Sequence, residues 1–379
     1  MKVVIVTSFP FPDGKATANR VRVFSEELVR SGIADEVQIV ATITGQGGIE
    51  NFSENINVVR LPVPVIDKNK LISRAISEMS VAFKLWSITK KLKADLVIVT
   101  VPSALLLLPI AIFPKHVKLV LDVRDAVWTY FPKGSLKGLF GALLRRLFRI
   151  AAKKADLVCV TNTHEARSVA AVAGVKAIIV ANGISEARVN DFQSIVTKPL
   201  RGKVNITYIG NVGIAQELDI LIDFCKFHQN NIEVNVVGDG AKLTGLKAKA
   251  IDENIMNITF HGAVSFDSVA RYMEEADILF AQIGTNFQSA IPTKVFEYIA
   301  AGRKVLLGLP EGAAKDTFEN FHGVEIFPVG SFTCMKKSYQ DLIIQRFGDE
   351  ERILNLELLK SRYIREKTMT ALLASLNSI

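Results

Sequence analysis

Residues 290–302 read Ala-Ile-Pro-Thr-Lys-Val-Phe-Glu-Tyr-Ile-Ala-Ala-Gly and are followed at 304–309 by the apolar run Lys-Val-Leu-Leu-Gly-Leu. The first part predicts a helix begun at Pro292 or Thr293 and stopped at Gly302, the second a buried strand. Lys294 falls in the first helical turn, where a cation opposes the helix dipole. That position is unfavourable unless an anion shares it, so Thr293, Lys294 and the helix N-terminus together suggest a diphosphate. Glu297 lies one turn on, nearly on the same face. A carboxylate there either accepts two hydrogen bonds from a vicinal diol such as ribose or forms an i, i+3 ion pair with Lys294.

Working outward, the helix-then-strand alternation runs through the whole chain. The first half offers short apolar strands at 3–8, 37–42, 57–61, 96–101, 118–123, 157–161 and 177–182, the second at 205–210, 233–240, 257–262, 277–283, 304–309 and 324–329. Continuous β-branched runs separated by helical patterns imply parallel sheets covered on both faces. A polar stretch at 190–203, with Pro199 and Gly202, separates the two series. The expectation is an α/β chain of two Rossmann-like, doubly wound parallel-sheet domains, 1–192 and 203–348, with a helical tail at 349–379 that packs back on the first domain. In such sheets ligands sit at the carboxyl ends of the strands, which puts the expected site in a cleft between the domains.

Length agrees, since 379 residues exceed what one compact domain usually holds. A hydrophobic content of 49% excludes intrinsic disorder. The formal charge of +8 directs attention to anionic partners. The three cysteines, Cys159, Cys225 and Cys334, have no paired spacing, which excludes a disulfide scaffold or a zinc module and fits a reducing cytoplasm. Residues 96–114 hold 19 positions without a formal charge, close to the length of a membrane span. Pro102, Pro109 and Pro114 interrupt that stretch, which predicts a buried strand followed by a buried helix.

Two further strand ends carry glycine. The strand at 233–237 enters Gly238-Asp239-Gly240-Ala241-Lys242, where backbone N–H groups can face a phosphate or ribose. The segment 208–219, Tyr-Ile-Gly-Asn-Val-Gly-Ile-Ala-Gln-Glu-Leu-Asp, is either a phosphate cradle built on Gly210 and Gly213 or a tight turn capped by Asn211. Neither is a dinucleotide fingerprint, because no G-x-G-x-x-G follows a strand.

The series PTKVFEYIAAG with KVLL, preceded by VVGDG and YIGNVG with Gln216, resembles the retaining nucleotide-sugar glycosyltransferases of family 4, of GT-B fold, and most closely their fucosamine-transferase-like branch in bacterial surface-polysaccharide assembly. The likeness spans nearly the whole chain, through Asp13-Gly14, DVRDAVW (122–128), VTNTHEAR (160–167) and VANGI (180–184). The resemblance implies that Glu297 holds the ribose hydroxyls, that Lys294 and the Gly210–Gly213 loop face the diphosphate, and that Gly14 belongs to the donor site. It also implies that Asp239, Gly240 and Lys242, with the stretch from Phe260 through Gly262 to Val264, line the nucleoside pocket. Four positions depart from the family. Ser289 stands where an acid is usual, Asn211 and Gln216 replace the common Arg and Lys, and Arg124 stands where many members carry His. Arg124 is expected to face the diphosphate or the sugar. Asp125 either orients an acceptor or is a buried carboxylate paired with Arg124.

A leaving nucleoside diphosphate gains charge in the transition state, so fixed cations are the main catalytic requirement. The expected donor is a UDP-sugar, with retention implied by the family, no cofactor and no metal. Residues 136–154 hold six basic side chains and no acid, with apolar residues Leu136, Phe140, Leu143, Leu147, Ile150 and Ala151 near helical spacing. Through Arg145, Arg146 and Arg149 this stretch either binds an anionic membrane or is a solvated face over a core stripe. Arg20 either meets an acceptor phosphate or is solvated. The overall expectation is a glycosyltransferase, peripheral at the inner face of the cytoplasmic membrane, acting on a lipid-linked or saccharide acceptor. A sugar-nucleotide epimerase and a degenerate nucleotide-sugar-binding subunit are the alternatives. Nucleic acid is not an expected partner, since no recognition signature accompanies the charge.

Overall fold

The computed structural model describes residues 1–12, 16–63, 71–101, 104–112, 114, 116–130, 136–195 and 202–379. Asp13 and Gly14 lie outside these residues. The chain divides into two compact units, Met1–Asn182 with Arg365–Ile379, and Gly183–Ile364.

The first unit is built on eight strands: β1 Lys2–Pro10, β2 Glu36–Ile43, β3 Gly48–Ser53, β4 Ile56–Pro62, β5 Leu96–Val101, β6 Lys118–Val123, β7 Leu157–Val160 and β8 Ile178–Ile179. They are ordered β3-β4-β2-β1-β5-β6-β7-β8. Because both faces are covered, the central strands are apolar at nearly every position, and successive residues go to opposite cores. Val4 and Val6 face Trp86, Trp128 and Phe148, below the helices Leu71–Lys91 and Leu136–Lys154. Val3 and Ile5 face Phe24 and Leu28 of the helix Ala16–Arg30, together with Met369, Leu372 and Leu376 of the tail.

The second unit carries β9 Val204–Ile209, β10 Ile232–Val237, β11 Ile258–Gly262, β12 Ile278–Gln282, β13 Lys304–Leu309 and β14 Val324–Pro328, ordered β11-β10-β9-β12-β13-β14 and parallel throughout. The strand order reverses at β9, between β10 and β12, which is where an open α/β sheet presents its ligand crevice.

Three features depart from the sequence expectation. Strand β3 has a polar sequence, Gly-Ile-Glu-Asn-Phe-Ser, and pairs antiparallel with β4 as an exposed edge. Its pattern carries no strand signal because it buries neither face. The segment after β5, Ala104–Ile112, by contrast, is the buried helix expected there, in 3₁₀ form and containing Pro109. The division between units falls at Asn182–Gly183, upstream of the polar stretch at 190–203. The helix Glu186–Gln193 therefore belongs to the second unit, where Val189 and Phe192 are buried. The tail also divides: Leu359 of the helix Asp349–Arg362 joins the second core, and the chain from Arg365 onward joins the first.

Candidate active site

In the second unit the carboxyl ends of three adjacent strands are laced together by their backbones. Gly210 N–H donates to Val237 O at 2.8 Å, Gly238 N–H to Gly262 O at 2.7 Å, and Val212 N–H to Asp239 O at 2.9 Å. Gly210 and Gly238 have φ of +146° and +140°, a region L side chains rarely occupy. A Cβ at Gly238 would collide with the Gly210 carbonyl, and one at Gly240 with the Val212 carbonyl. A Cβ at Gly210 would overlap the Lys294 ammonium. These glycines let two loops and one cation converge on the end of β9.

Lys294 opens the helix Lys294–Ala300 and is held by aromatic groups. Its Nζ donates to the Tyr208 hydroxyl at 3.3 Å and lies 4.7 Å from that ring's centroid. Tyr208 in turn donates to Asn211 O at 2.6 Å. Tyr298, on the same short helix, clamps β9 by accepting from Ile209 N–H at 3.1 Å and donating to Ile209 O at 3.0 Å. Lys294 makes no ion pair among the described residues, which removes the expected alternative of a simple Lys294–Glu297 bridge. Burial pushes the Lys294 ammonium down to about 8, with Glu297 pulling the other way. A cation desolvated and without a contacting carboxylate gains most from an incoming anion.

The loop after β9 differs from the expected open cradle. Gln216 Oε1 accepts from Gly213 N–H and from Asn211 Nδ2, each at 3.2 Å. The Gly213 amide assigned to phosphate is therefore already satisfied by Gln216, and Asn211 and Gln216 close the loop upon themselves. Gln282, at the end of β12, ties it from below, donating to Glu217 O at 2.8 Å and Gln216 O at 3.2 Å. Asp239 is exposed and accepts from Gly240 N–H at 2.7 Å. Lys242 is exposed at the start of the next helix; Thr293, Glu297, Gly262, Val264 and Ser289 are half-buried.

The first unit presents charge at the ends of β6 and β7. Asp122 and Arg20 are buried and paired: Nε donates to both carboxylate oxygens at 3.1 and 3.0 Å and Nη2 to Oδ1 at 2.6 Å. Arg20 Nη1 donates to Val180 O at 2.8 Å and Asn182 Oδ1 at 3.1 Å. Arg20 thus has its donors committed internally and does not reach an acceptor or a membrane. The structural carboxylate here is Asp122, whose partner is Arg20. Arg124 keeps buried Nε and Nη1 atoms without a hydrogen-bond partner among the described residues. Burial brings its guanidinium down to about 10, against the pull of Asp122.

The basic helix Leu136–Lys154 turns a different stripe inward from the one its spacing predicts. Gly138, Gly141, Leu144, Phe148, Ala151 and Ala152 are buried, whereas Leu139 is 71% exposed, Leu143 51% and Ile150 46%. Arg146 and Arg149 are exposed, Arg149 donating to Val172 O at 2.7 Å; Arg145 is half-buried and donates to Trp128 O at 3.3 Å. On the helix Leu71–Lys91, Ile76, Met79 and Phe83 form a second exposed stripe. Neither that stripe nor Tyr208, Tyr298 and Gln282 stands out in the sequence, because their ordinary strand and helix settings carry no site signal.

Two parallel α/β sheets within one chain, with glycine-lined strand ends and a desolvated lysine, define a nucleotide-sugar glycosyltransferase of GT-B fold. The chain is a GT4-like, group 1 glycosyltransferase: residues 16–183 match the glycosyl transferase 4-like domain, and residues 203–325 match the glycosyl transferases group 1 domain. Its fold is similar to sucrose-phosphate synthase from Thermosynechococcus elongatus, at 13% identity and TM-score 0.80, over 100% of this chain and 99% of that one. It is also similar to the lipopolysaccharide outer core galactosyltransferase WaaB, at 14% identity and TM-score 0.69, covering 99% of each chain. HepE from Anabaena, solved in complex with UDP, aligns over 100% of both chains at 12% identity and TM-score 0.66. A sequence comparison with curated proteins finds no match.

Proposed function

We propose that this enzyme transfers a sugar, with retention, from a UDP-sugar to a lipid-linked or saccharide acceptor in bacterial surface-polysaccharide assembly, in the manner of the fucosamine-transferase-like branch. The observation that carries the donor half is Lys294, desolvated over Gly210 with no contacting carboxylate among the described residues. An ammonium so placed stabilises the charge that grows on the departing diphosphate, and needs no reorganisation to do so. Glu297 receives the ribose hydroxyls. Arg124 supplies a second cation toward an anionic group of donor or acceptor. That HepE was solved with UDP supports the choice of base.

The acceptor half rests on surface chemistry. Among the described residues no helix is long and apolar enough to cross a membrane. The helix Leu136–Lys154 carries exposed Leu139, Leu143 and Ile150 beside its six cations, and Ile76, Met79 and Phe83 add a second apolar stripe in the same unit. Cations near an anionic bilayer contribute about 1 kcal/mol each, and inserted apolar side chains add to that. These two stripes support an enzyme peripheral at the inner face of the cytoplasmic membrane.

Calorimetry with UDP tests the donor site. Glu297→Ala should weaken binding about tenfold or more, the size of a charged hydrogen bond; unchanged affinity would sink the assignment. An NMR time course of the UDP-sugar alone separates transfer from epimerisation, which would convert the donor without any acceptor.

A further inference from the structure

Among the described residues, Asn55, Lys93, Glu217 and Asn254 are not glycine and yet have left-handed backbone, with φ between 45° and 61°. Lys93 and Asn254 lie just past helix ends and Asn55 makes the β3–β4 turn, where such backbone is ordinary. Glu217 is different. It closes only the three-residue 3₁₀ turn Ile214–Gln216, at φ 45° and ψ 48°, and its side chain is too long for the local bond that favours asparagine there.

The group that holds it comes from another strand. Gln282, the last residue of β12, is 3% exposed, and its Nε2 donates to Gln216 O at 3.2 Å and to Glu217 O at 2.8 Å. These carbonyls belong to the two peptide units that flank the Glu217 Cα, so fixing both fixes its φ and ψ. A backbone tie stands beside them, Gly284 N–H donating to Ala215 O at 2.7 Å. Room is left for the amide: Gly308 faces Gln282 across β12 and β13, and a Cβ there would lie 2.5 Å from Gln282 Oε1 and 2.8 Å from the Phe327 ring. Oε1 is buried with no hydrogen-bond partner among the described residues. An unsatisfied buried acceptor costs stability, and an apolar side chain beside Phe327 would avoid it. The two donated bonds account for an amide at this position.

The loop's own closure depends on the held residue. Gln216 precedes it, and Gln216 Oε1 reaches back to Gly213 N–H and Asn211 Nδ2. Turning the 216–217 peptide would carry that side chain away.

We infer that Gln282 is the positioning residue of the diphosphate loop: by holding Glu217 left-handed it fixes the chain from Gly210 to Gln216 in the shape that meets the nucleotide. The inference rests on the donor site proposed above. Ligand contact is made by the loop and Lys294, and Gln282 acts through them.

A double-mutant cycle in the full chain, Gln282→Met with Glu217→Gly, tests this. Methionine keeps the length and removes the donors, and glycine enters the left-handed region without help. Each variant is read twice, by hydrogen exchange of the Gly213 and Gln216 amides without ligand and by calorimetry with UDP. With Glu217 present, Gln282→Met should speed exchange and weaken UDP binding about tenfold each, the factor by which an L residue disfavours this backbone. In the Glu217→Gly background the same change should cost less than about twofold. A Gln282 that only filled the core would cost the same in both backgrounds; that equality, or no effect in either, would overturn the inference. Should Gln282→Met fail to fold, the double variant decides. Folding restored by Glu217→Gly supports the clamp, and failure of both makes Gln282 a core residue and overturns it. If exchange follows the cycle while UDP affinity does not move, the clamp stands and it is the donor reading of this loop that falls.

Discussion

The carboxyl ends of the two sheets each bury a cation, and they do so by opposite means. At β6 Arg20 is neutralised by a bidentate carboxylate, Asp122, that is itself wholly buried. At β9, among the described residues, Lys294 contacts the hydroxyl and ring face of Tyr208 and no carboxylate, and burial weakens its ammonium to about 8 against the pull of Glu297. A charge whose counter-ion is built into the chain serves the fold. One whose counter-ion is missing is kept for a ligand, at some cost to stability. Arg124 stands between the two cases, with part of its guanidinium unsatisfied.

The difference is sharpest under substitution. Asp122→Ala should cost about 3–5 kcal/mol, because it strands Arg20 as an unpaired buried charge. A denaturant melt showing less than about 1 kcal/mol would mean the pair is not structural. Lys294→Met should leave the melt unchanged or shift it upward, since a desolvated cation is removed, while UDP affinity falls about 10- to 100-fold. Were Lys294→Met to destabilise as Asp122→Ala does, the contrast between the two ends would fail.

A smaller effect follows from the lowered value of Lys294. Below pH 8 the free enzyme carries the ammonium and binds the diphosphate fully. Above pH 8 binding must first recapture a proton, so UDP affinity should drop by up to about tenfold per pH unit. Calorimetry from pH 7 to 10 reads this, and a flat profile would place the diphosphate elsewhere. The smallest effect concerns stability at the other sheet. Glu165 holds its proton in the folded state up to about 7, whereas an unfolded glutamate loses it near 4.5. Stability from this group is therefore full below the unfolded value and declines as pH rises to about 7, by about 1–3 kcal/mol. Glu165→Gln should flatten that stretch of the stability–pH curve.

Much of the architecture was legible along the chain. Thirteen of the fourteen strands among the described residues announce themselves as apolar runs, because a parallel sheet covered on both faces admits little else. β3 was hidden, since an exposed edge strand has no buried face to write into the sequence. The helix at Lys294 was foreseen to within two residues, from Pro292 and Gly302. The inward face of Leu136–Lys154 was not. Two glycines, Gly138 and Gly141, form part of it, and hydrophobic periodicity does not count glycine as core. Arg20 looked like a surface arginine because its partner lies 102 positions away.

By itself, then, the sequence determined the class of fold, the kinds of residue at each strand end and the surplus of cations, since periodicity and glycine placement are local properties of the chain. Which cations are spent internally was decided only by the tertiary structure. Pairing Arg20 with Asp122, leaving Lys294 over Gly210 and turning leucines outward from a basic helix are outcomes of burial and distance. Those quantities exist only once strands remote in sequence lie side by side.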